Sequence, residues 1–214
     1  MPTELAPLNS PVEIVVAKAP RWWLLAVVAL LAITAAHLLD EWVWTHVRDP
    51  QVYDRDWGRM LRSAGYLPTW LIVAIGLWGH DRARRGWGWR GGLMILTPTV
   101  CGALAELLKL VVRRLRPPDT TFAYAFRPFA DNPWSTKGLG MPSSHVLVAM
   151  GAATVLARFF PRVWWLWYLI AAGCAYTRLL ASAHYLSDVV AAAILGWLVG
   201  DIAVRFVAGR LARL

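Results

Sequence analysis

Hydrophobic residues in this chain are grouped into six apolar runs that are separated by polar, Pro-rich segments. The runs cover residues 22–39, 66–79, 91–112, 145–160, 163–177 and 188–207. An α-helix needs about 20 apolar residues to cross the hydrocarbon core of a bilayer. The second, fourth and fifth runs are shorter, but flanking Trp or Tyr residues tolerate the membrane interface and extend the span. The pattern predicts an all-α, integral membrane bundle of six transmembrane helices.

The segments outside the runs predict the domain organisation. Residues 1–21 are expected to be an N-terminal cytoplasmic segment, and residues 22–214 a six-helix membrane domain. Residues 53–64, in the first long connection, are a candidate interfacial amphipathic helix. A cleaved secretory signal is an alternative interpretation of the first run, but this run is longer than the ~7 to 15 apolar residues of a signal core. We therefore expect a retained helix.

Composition supports a membrane protein and excludes several other classes. Of the 214 residues, 58% are hydrophobic and only 16% are charged, whereas a soluble domain has about 25% charged residues. Two Cys, both inside apolar runs, exclude a disulfide-stapled miniprotein. The net charge of +9 comes from short clusters of Lys and Arg between the runs. Anionic headgroups and membrane topology explain these clusters better than nucleic acid, and no nucleic-acid partner is predicted.

Six spans place both termini on one side of the membrane. The Lys and Arg counts of the two sides are equal when every cation is included. When Lys109, Arg116 and Arg178 are assigned to a functional site, the remaining cations favour cytoplasmic termini. We expect an inner (plasma) membrane protein whose site lies at the periplasmic or outer face.

Charged residues at the end of the third run are the first candidates for function. A charge at membrane depth costs about 2.5 to 3.5 kcal/mol, so the few that occur are functional candidates. On a continuous helix, Glu106, Lys109, Arg113 and Arg116 would share one face. For Arg113 and Arg114, a snorkelling helix end is the favoured interpretation. Lys109 lies inside the run and fits that interpretation less well.

Two further motifs lie at the starts and ends of later runs. The fourth run opens with Pro142-Ser143-Ser144-His145. Helix amides there form a ready anion site, although Pro and Ser also serve as ordinary caps. The fifth-to-sixth junction contains Thr177-Arg178, then His184, then Asp188 four residues later. An i, i+4 carboxylate orients an imidazole, yet most such pairs are structural.

Topology brings these groups together. In a six-span bundle, the end of the third run, the start of the fourth and the fifth-to-sixth junction all lie at the same membrane face. The combined set of three cations, Ser143, helix amides and two imidazoles suits a phosphoryl group. Metal-ligand spacings, a P-loop and a dinucleotide glycine pattern are missing from the sequence, so neither a metal nor another cofactor is predicted.

These motifs resemble a known family. Lys109-(six residues)-Arg116-Pro117, Pro142-Ser143-Ser144-His145 and Thr177-Arg178-(five)-His184-(three)-Asp188 are similar to the three-part signature of the type 2 phosphatidic acid phosphatases. That family is the membrane branch of the lipid phosphate phosphatase and vanadium haloperoxidase superfamily. The resemblance covers residues 109–188. Ser144 replaces the family's usual Gly and Thr177 its usual Ser, and neither change removes a required function.

The resemblance implies specific roles for the matched residues. His184 would be the nucleophile that forms a phosphohistidine, and Asp188 would orient it. His145 would protonate the leaving group and then activate water. Five residues would hold the phosphate: Lys109, Arg116, Ser143, Ser144 and Arg178.

The expected function is therefore hydrolysis of a phosphomonoester or pyrophosphate on a lipid, without metal. The bilayer and a lipid phosphate are the expected partners, and the sequence selects neither a particular lipid nor an oligomeric state. A phosphotransferase that passes the phosphate to a second lipid is one alternative. A membrane transporter is the other, although its polar groups would be expected nearer the bilayer midplane.

Overall fold

The computed structural model describes residues 21–82 and 87–211. Within these ranges the chain forms seven α-helices and a short 3₁₀ turn at Pro161–Val163. The helices are α1 Trp22–His46, α2 Asp56–Ser63, α3 Leu67–Asp81, α4 Gly88–Val112, α5 Ser144–Phe159, α6 Trp164–Leu180 and α7 Leu186–Leu211. Every predicted apolar run lies largely within one of these helices, and the candidate interfacial helix is α2. The predicted cytoplasmic segment lies outside the described residues, except for its last residue, Arg21.

The all-helical membrane architecture is confirmed, whereas the count of six spans stays a prediction. In the described part of the chain, α1, α4 and α7 are each long and apolar enough to cross a membrane. Helices α2 and α3 supply a fourth span if the 66° bend between them lies within one crossing. Helix α5 has 16 residues, which at a rise of about 1.5 Å per residue is shorter than the hydrocarbon core.

Helix α5 is the centre of the bundle. It packs against α4, α6 and α7, and its side chains are buried on nearly all sides. Such a helix is apolar all round because protein rather than water surrounds it. The outer helices expose large apolar side chains instead, among them Leu31, Ile72, Val111 and Phe206. This exposed apolar surface is what a hydrocarbon environment requires.

Small residues allow α5 and α7 to approach closely, as the sequence predicts. A Cβ atom added to Gly196 would lie 2.5 Å from the carbonyl oxygen of Leu147. One added to Gly200 would lie 2.9 Å from the carbonyl oxygen of Gly151. Backbone-to-backbone packing of this kind is the usual basis of helix association in lipid.

Hydrogen bonds at one end of the bundle join segments that are far apart in sequence. The Asp49 amide donates to the carbonyl of Leu180 at 2.9 Å, and the Ser143 amide donates to that of Asp188 at 3.3 Å. At the opposite end, Arg158 pairs with Asp201 at 2.9 Å. The predicted convergence of helix ends is therefore present, and all three motifs lie at the first of these two ends.

Candidate active site

The first and second motifs are joined by a three-residue hydrogen-bond network. Lys109 Nζ, which is buried, donates to Glu106 Oε1 at 2.7 Å and to Ser144 Oγ at 2.5 Å. Ser144 Oγ in turn donates to the same Glu106 oxygen at 2.7 Å. A glycine at position 144 would lack the hydroxyl that closes this network. The network ties the end of α4 to the start of α5.

Arg116 reaches this end of the molecule by a route that differs from the predicted helical face. Helix α4 ends at Val112, and Arg113 adopts the left-handed conformation with φ +57°. The following residues are extended, with the Arg116 amide donating to the carbonyl of Gly138 at 3.0 Å. The shared helical face is therefore correct for Glu106 and Lys109 and wrong for Arg113 and Arg116. Arg116 is exposed at the rim.

Arg113 and Arg114 are buried, so the snorkelling interpretation is wrong for both. Their exposed fractions are 2% and 3%. The loop between α4 and α5 covers this helix end and offers carbonyl acceptors in place of water. The Arg113 guanidinium donates to four carbonyl oxygens of that loop, those of Arg127, Pro128, Asp131 and Pro133. Arg113 thus holds the loop in place.

The start of α5 presents polar groups that have no partner among the described residues. Ser143 is the N-cap, and its hydroxyl caps no helix amide. Ser143 Oγ and His145 Nε2 are both buried without a hydrogen-bond partner in the described chain. A Cβ added to Gly65 would lie 2.5 Å from the Cβ of His145, and the Tyr66 ring packs edge-on against the imidazole at 4.9 Å. Together with the free amides of the first turn, these groups suit an anion.

The third motif brings His184 next to Asp188 through a loop rather than along a helix face. Helix α7 begins at Leu186, so His184 precedes it. His184 Nδ1 lies 3.6 Å from Asp188 Oδ2, which is ion-pair range but longer than a hydrogen bond. Oδ2 accepts a hydrogen bond from the Tyr185 amide at 3.0 Å, and Oδ1 accepts one from Arg114. The predicted pairing is present, but the helical i, i+4 geometry is wrong.

Electrostatics around His184 favour a neutral imidazole. Burial lowers the pKa of His184 to about 4. Asp188 opposes this effect, while the positive charges of Arg178 and Arg116 lower the pKa of His184 further. A neutral ring has a free lone pair, which is what a nucleophile requires.

A buried polar network behind Asp188 contains residues that the sequence did not single out. Arg114 stacks on the rings of Tyr124 and Tyr185 at 5.4 and 5.0 Å while it holds Asp188. Asp40 of α1 is fully buried and accepts hydrogen bonds from the Ser187 amide at 2.8 Å and from the Tyr124 hydroxyl at 2.9 Å. Asp40 directly follows the first apolar run, and a carboxylate at that position could have marked it in the sequence as a functional candidate.

Arg178 is positioned by a tyrosine from the first long connection. Its Nη1 donates to the Tyr53 hydroxyl at 2.6 Å, and that hydroxyl donates to the Thr177 carbonyl at 3.1 Å. Arg178 is buried, and its Nε has no partner among the described residues. The Thr177 hydroxyl donates to the carbonyl of Cys174 in its own helix.

Seven of the eight predicted site residues are thus brought into connected networks at one end of the bundle, with Arg116 at their rim. Four buried polar atoms of these residues lack a hydrogen-bond partner within the described ranges: Ser143 Oγ, His145 Nε2, Arg178 Nε and His184 Nδ1. The described residues also contain no group of three or more His, Cys, Asp or Glu arranged to hold a metal ion.

Comparison with known proteins agrees with this geometry. Residues 90–211, which contain all three motifs, match the model of the PAP2 superfamily. A lipid A 1-phosphatase of Rhizobium johnstonii is 32% identical over 103 residues, 48% of this chain and 42% of that protein. A lipid A 1-phosphatase of Rhizobium etli is 32% identical over 110 residues, 51% of this chain and 47% of that protein. The matched segments thus span less than half the length of either relative.

A solved structure has the same fold. It is the crystal structure of a transmembrane PAP2 type phosphatidylglycerolphosphate phosphatase from Bacillus subtilis, with a TM-score of 0.63 and 20% sequence identity. The alignment covers 87% of this chain and 96% of that one. The family resemblance of the three motifs is confirmed, and the chain belongs to the PAP2 superfamily.

Proposed function

We propose that this protein is an integral membrane phosphatase that hydrolyses a phosphomonoester or pyrophosphate of a lipid through a phosphohistidine. One observation supports this most strongly. Four buried polar atoms, contributed by the second and third motifs, lack partners among the described residues. His184 Nδ1 faces Asp188, but Ser143 Oγ, His145 Nε2 and Arg178 Nε face no such partner. Leaving buried atoms without a partner is costly, so three of them at one end of the bundle indicate a ligand site. The names of the two rhizobial relatives and of the Bacillus protein point to phosphate on a lipid.

The first chemical step uses His184 as the nucleophile. Its Nδ1 faces Asp188, which leaves Nε2 to attack phosphorus. The Nε2–P bond forms as the P–O bond to the lipid breaks, and the oxygen leaves with the electron pair. His145 donates a proton to that oxygen. Asp188 stabilises the positive charge that develops on the imidazole.

The second step releases phosphate. His145, now neutral, accepts a proton from water, and the water oxygen attacks phosphorus. The Nε2–P bond breaks, the electron pair returns to His184, and inorganic phosphate is the product. This order uses each imidazole twice and restores both at the end of the cycle.

Protein cations supply the charge stabilisation that other phosphatases obtain from metal ions. Lys109, Arg116 and Arg178 would bind the three non-bridging oxygens, with the Ser143 hydroxyl and α5 amides adding hydrogen bonds. Ser144 would act by holding Lys109, since its hydroxyl is already engaged there. Activity is expected to persist in strong chelator. Loss of activity with rescue by a divalent ion would contradict the metal-free scheme.

We further propose a six-span topology for residues 22–214, with α3 as the second crossing and α2 at the membrane interface. The termini would be cytoplasmic in the inner membrane, and the site would be at the periplasmic face. Asp119→Cys, on the exposed loop at the site end, should react with an impermeant maleimide in intact cells. His80→Cys, exposed at the end of α3, should react only after lysis. The reverse pattern would overturn the orientation.

The covalent intermediate is the direct test of the mechanism. Detergent-purified protein would be mixed with a ³²P-labelled lipid phosphate and quenched in alkali, where phosphohistidine is stable and acid-labile. We expect label on the wild-type chain and none on His184→Ala. His145→Ala should accumulate label when a good leaving group is used, because water activation is then the slow step. Wild-type labelling of His184→Ala would overturn the assignment of the nucleophile.

A further inference from the structure

Arg62 is a cation at the active-site end that belongs to none of the three motifs. It lies in the last turn of α2. Its guanidinium stacks over the rings of Tyr53 and Tyr66, with 4.6 and 5.4 Å from the guanidinium carbon to the ring centroids. Its Nε is buried and has no acceptor among the described residues. A guanidinium held by rings alone keeps its donors available for an anion.

Both of these rings also contact proposed site residues. The Tyr53 hydroxyl accepts a hydrogen bond from Arg178, and Tyr66 packs against His145. Cys174 Sγ lies 4.0 Å from the carbonyl oxygens of both Arg62 and His145. Arg62 is therefore beside the proposed phosphate site, because the Tyr53 side chain contacts both Arg62 and Arg178, a proposed phosphate ligand.

Close packing places α2 directly against the site. A Cβ added to Gly65, just after α2, would overlap His145. One added to Gly173 of α6 would lie 2.8 Å from a methyl group of Leu61. These contacts leave no space for intervening side chains. The position of Arg62 is thus set by helix packing.

Arg62 adds a positive charge beside the cations that are proposed to bind one terminal phosphate. Partial desolvation lowers the pKa of Arg116, although its side chain is exposed, and the positive charges of Arg178 and Arg62 lower this pKa further. Lys109, Arg116 and Arg178 already match the three non-bridging oxygens of a terminal phosphoryl group. Arg62 is a fourth cation and has no carboxylate partner within the described chain. Glu106 pairs with Lys109 and Asp188 pairs with Arg114, so Arg62 is left to bind a second anionic group next to the first.

We propose that Arg62 binds a second phosphate adjacent to the one attacked by His184, so that the site prefers lipid diphosphates over lipid monophosphates. The inference rests on the proposed function and specifies its substrate class. In this reaction the His184 Nε2–P bond forms at the terminal phosphorus while the phosphoanhydride P–O bond breaks. The inner phosphate leaves with the electron pair and stays on the lipid. Arg62 neutralises part of the charge that develops there.

The kinetic test compares two substrates that share one tail, farnesyl diphosphate and farnesyl monophosphate. Initial rates of phosphate release would give kcat and KM for wild type, Arg62→Gln and Arg62→Lys. We expect Arg62→Gln to lower kcat/KM for the diphosphate about 10- to 100-fold and for the monophosphate less than about threefold. Arg62→Lys should recover part of the loss. Equal losses on both substrates, or no loss on either, would overturn the proposal.

Arg55→Gln is the matched control. Arg55 is the N-cap residue of the same helix and is paired with Asp49 at 3.0 Å, so its removal makes the same change in net charge. Neither substrate should be affected by it. Elution volume and melting temperature in detergent would confirm that each variant is folded.

A binding measurement separates this proposal from the proposed function. The melting temperature of wild type should rise more with methylenediphosphonate, which is not hydrolysed, than with equimolar inorganic phosphate. Arg62→Gln should lose that difference. If wild type releases no phosphate from either lipid, the proposed function fails, and this binding difference alone decides the role of Arg62. Equal stabilisation by the two anions would overturn that role.

Discussion

The two sides of His184 differ in how their buried polar groups are satisfied. On the Asp188 side, Arg114 and the Tyr185 amide occupy both carboxylate oxygens, and Asp40 accepts several hydrogen bonds. Every carboxylate there has a partner, although Arg114 Nε has none among the described residues. On the α5 side, Ser143 Oγ and His145 Nε2 are buried without partners in the described chain. Asp188, Arg114 and Ser143 are all buried, so burial alone does not explain the difference.

Under the proposed function, this difference separates groups that serve the fold from groups that bind the phosphate. A paired buried charge is tolerable, but removing one partner leaves the other uncompensated and destabilises the protein. An unpaired buried donor already carries this unfavourable free energy in the folded protein, and a bound anion would offset it by accepting the hydrogen bond. Substitutions on the paired side should therefore lower stability, whereas substitutions on the unpaired side should lower activity.

His184 lies between the two sides, and its removal should have the largest effect. His184→Ala is expected to lower kcat by about 10⁴-fold or more, because no other group can form the covalent intermediate. Phosphate release from a short-chain lipid phosphate would measure the loss. His80→Ala, an exposed histidine at the end of α3 and outside the motifs, is the control. Activity within tenfold of wild type in His184→Ala would contradict the mechanism.

Arg114→Gln should have the largest effect on stability. It leaves the Asp188 carboxylate buried without its cation, and breaking a buried pair costs about 3 to 5 kcal/mol. The expected result is a clear fall in melting temperature in detergent, with less protein recovered from membranes. Arg55→Gln breaks the pair between the exposed Arg55 and Asp49 and should change the melting temperature little. Unchanged stability in Arg114→Gln would mean that Asp188 does not need this partner.

Arg178→Gln should show the opposite behaviour. Loss of one charged hydrogen-bond donor to the transition state is expected to lower kcat/KM about 100-fold. The melting temperature without ligand should fall less than in Arg114→Gln, because Arg178 donates to the neutral Tyr53 hydroxyl and has no carboxylate partner among the described residues. Stabilisation by inorganic phosphate should be lost. A large fall in stability without a fall in activity would show that Arg178 supports the fold and does not bind the phosphate.

The pH dependence of stability should give the smallest effect. Burial lowers the pKa of His184 to about 4, from 6.5 for an ordinary histidine. Between these values the unfolded chain binds a proton that the folded chain does not, so stability falls as the pH falls from about 6.5 to about 4. From this shift, the free energy of unfolding at pH 5 should be about 2 kcal/mol lower than at neutral pH.

His184→Gln removes this group and should flatten the decline between pH 6.5 and pH 4. Melting temperatures of both proteins at pH 7, 6, 5 and 4.5 would measure the difference. If the two curves remain parallel, His184 titrates equally in the folded and unfolded states, and its burial does not control its protonation.

Local sequence was sufficient for the helices and for most of the candidate site. Helix location depends on apolar runs of about four to six helical turns, which are visible along the chain. The motifs could be joined because alternating crossings bring the ends of α4 and α6 to the starts of α5 and α7. Lys109, Ser143 and His184 were identified on that basis alone.

Contacts that depend on the path of a loop could not be predicted in this way. Arg113 and Arg114 are buried because the loop between α4 and α5 folds back over the end of α4, and no local pattern encodes that path. Arg116 departs from the helical face for the same reason. Arg62 was not singled out because its significance depends on rings 9 residues before and 4 residues after it, each packed on a different motif.

The sequence by itself determined the membrane environment, the helices and the chemical groups available, because hydrophobicity and residue type are local properties. Only the tertiary structure decided which polar groups are paired and which are left for a ligand. Pairing depends on distances of about 3 Å between side chains that are up to 147 positions apart in the chain, as for Asp40 and Ser187. That distinction, rather than the list of polar residues, separates the supporting network from the proposed phosphate site.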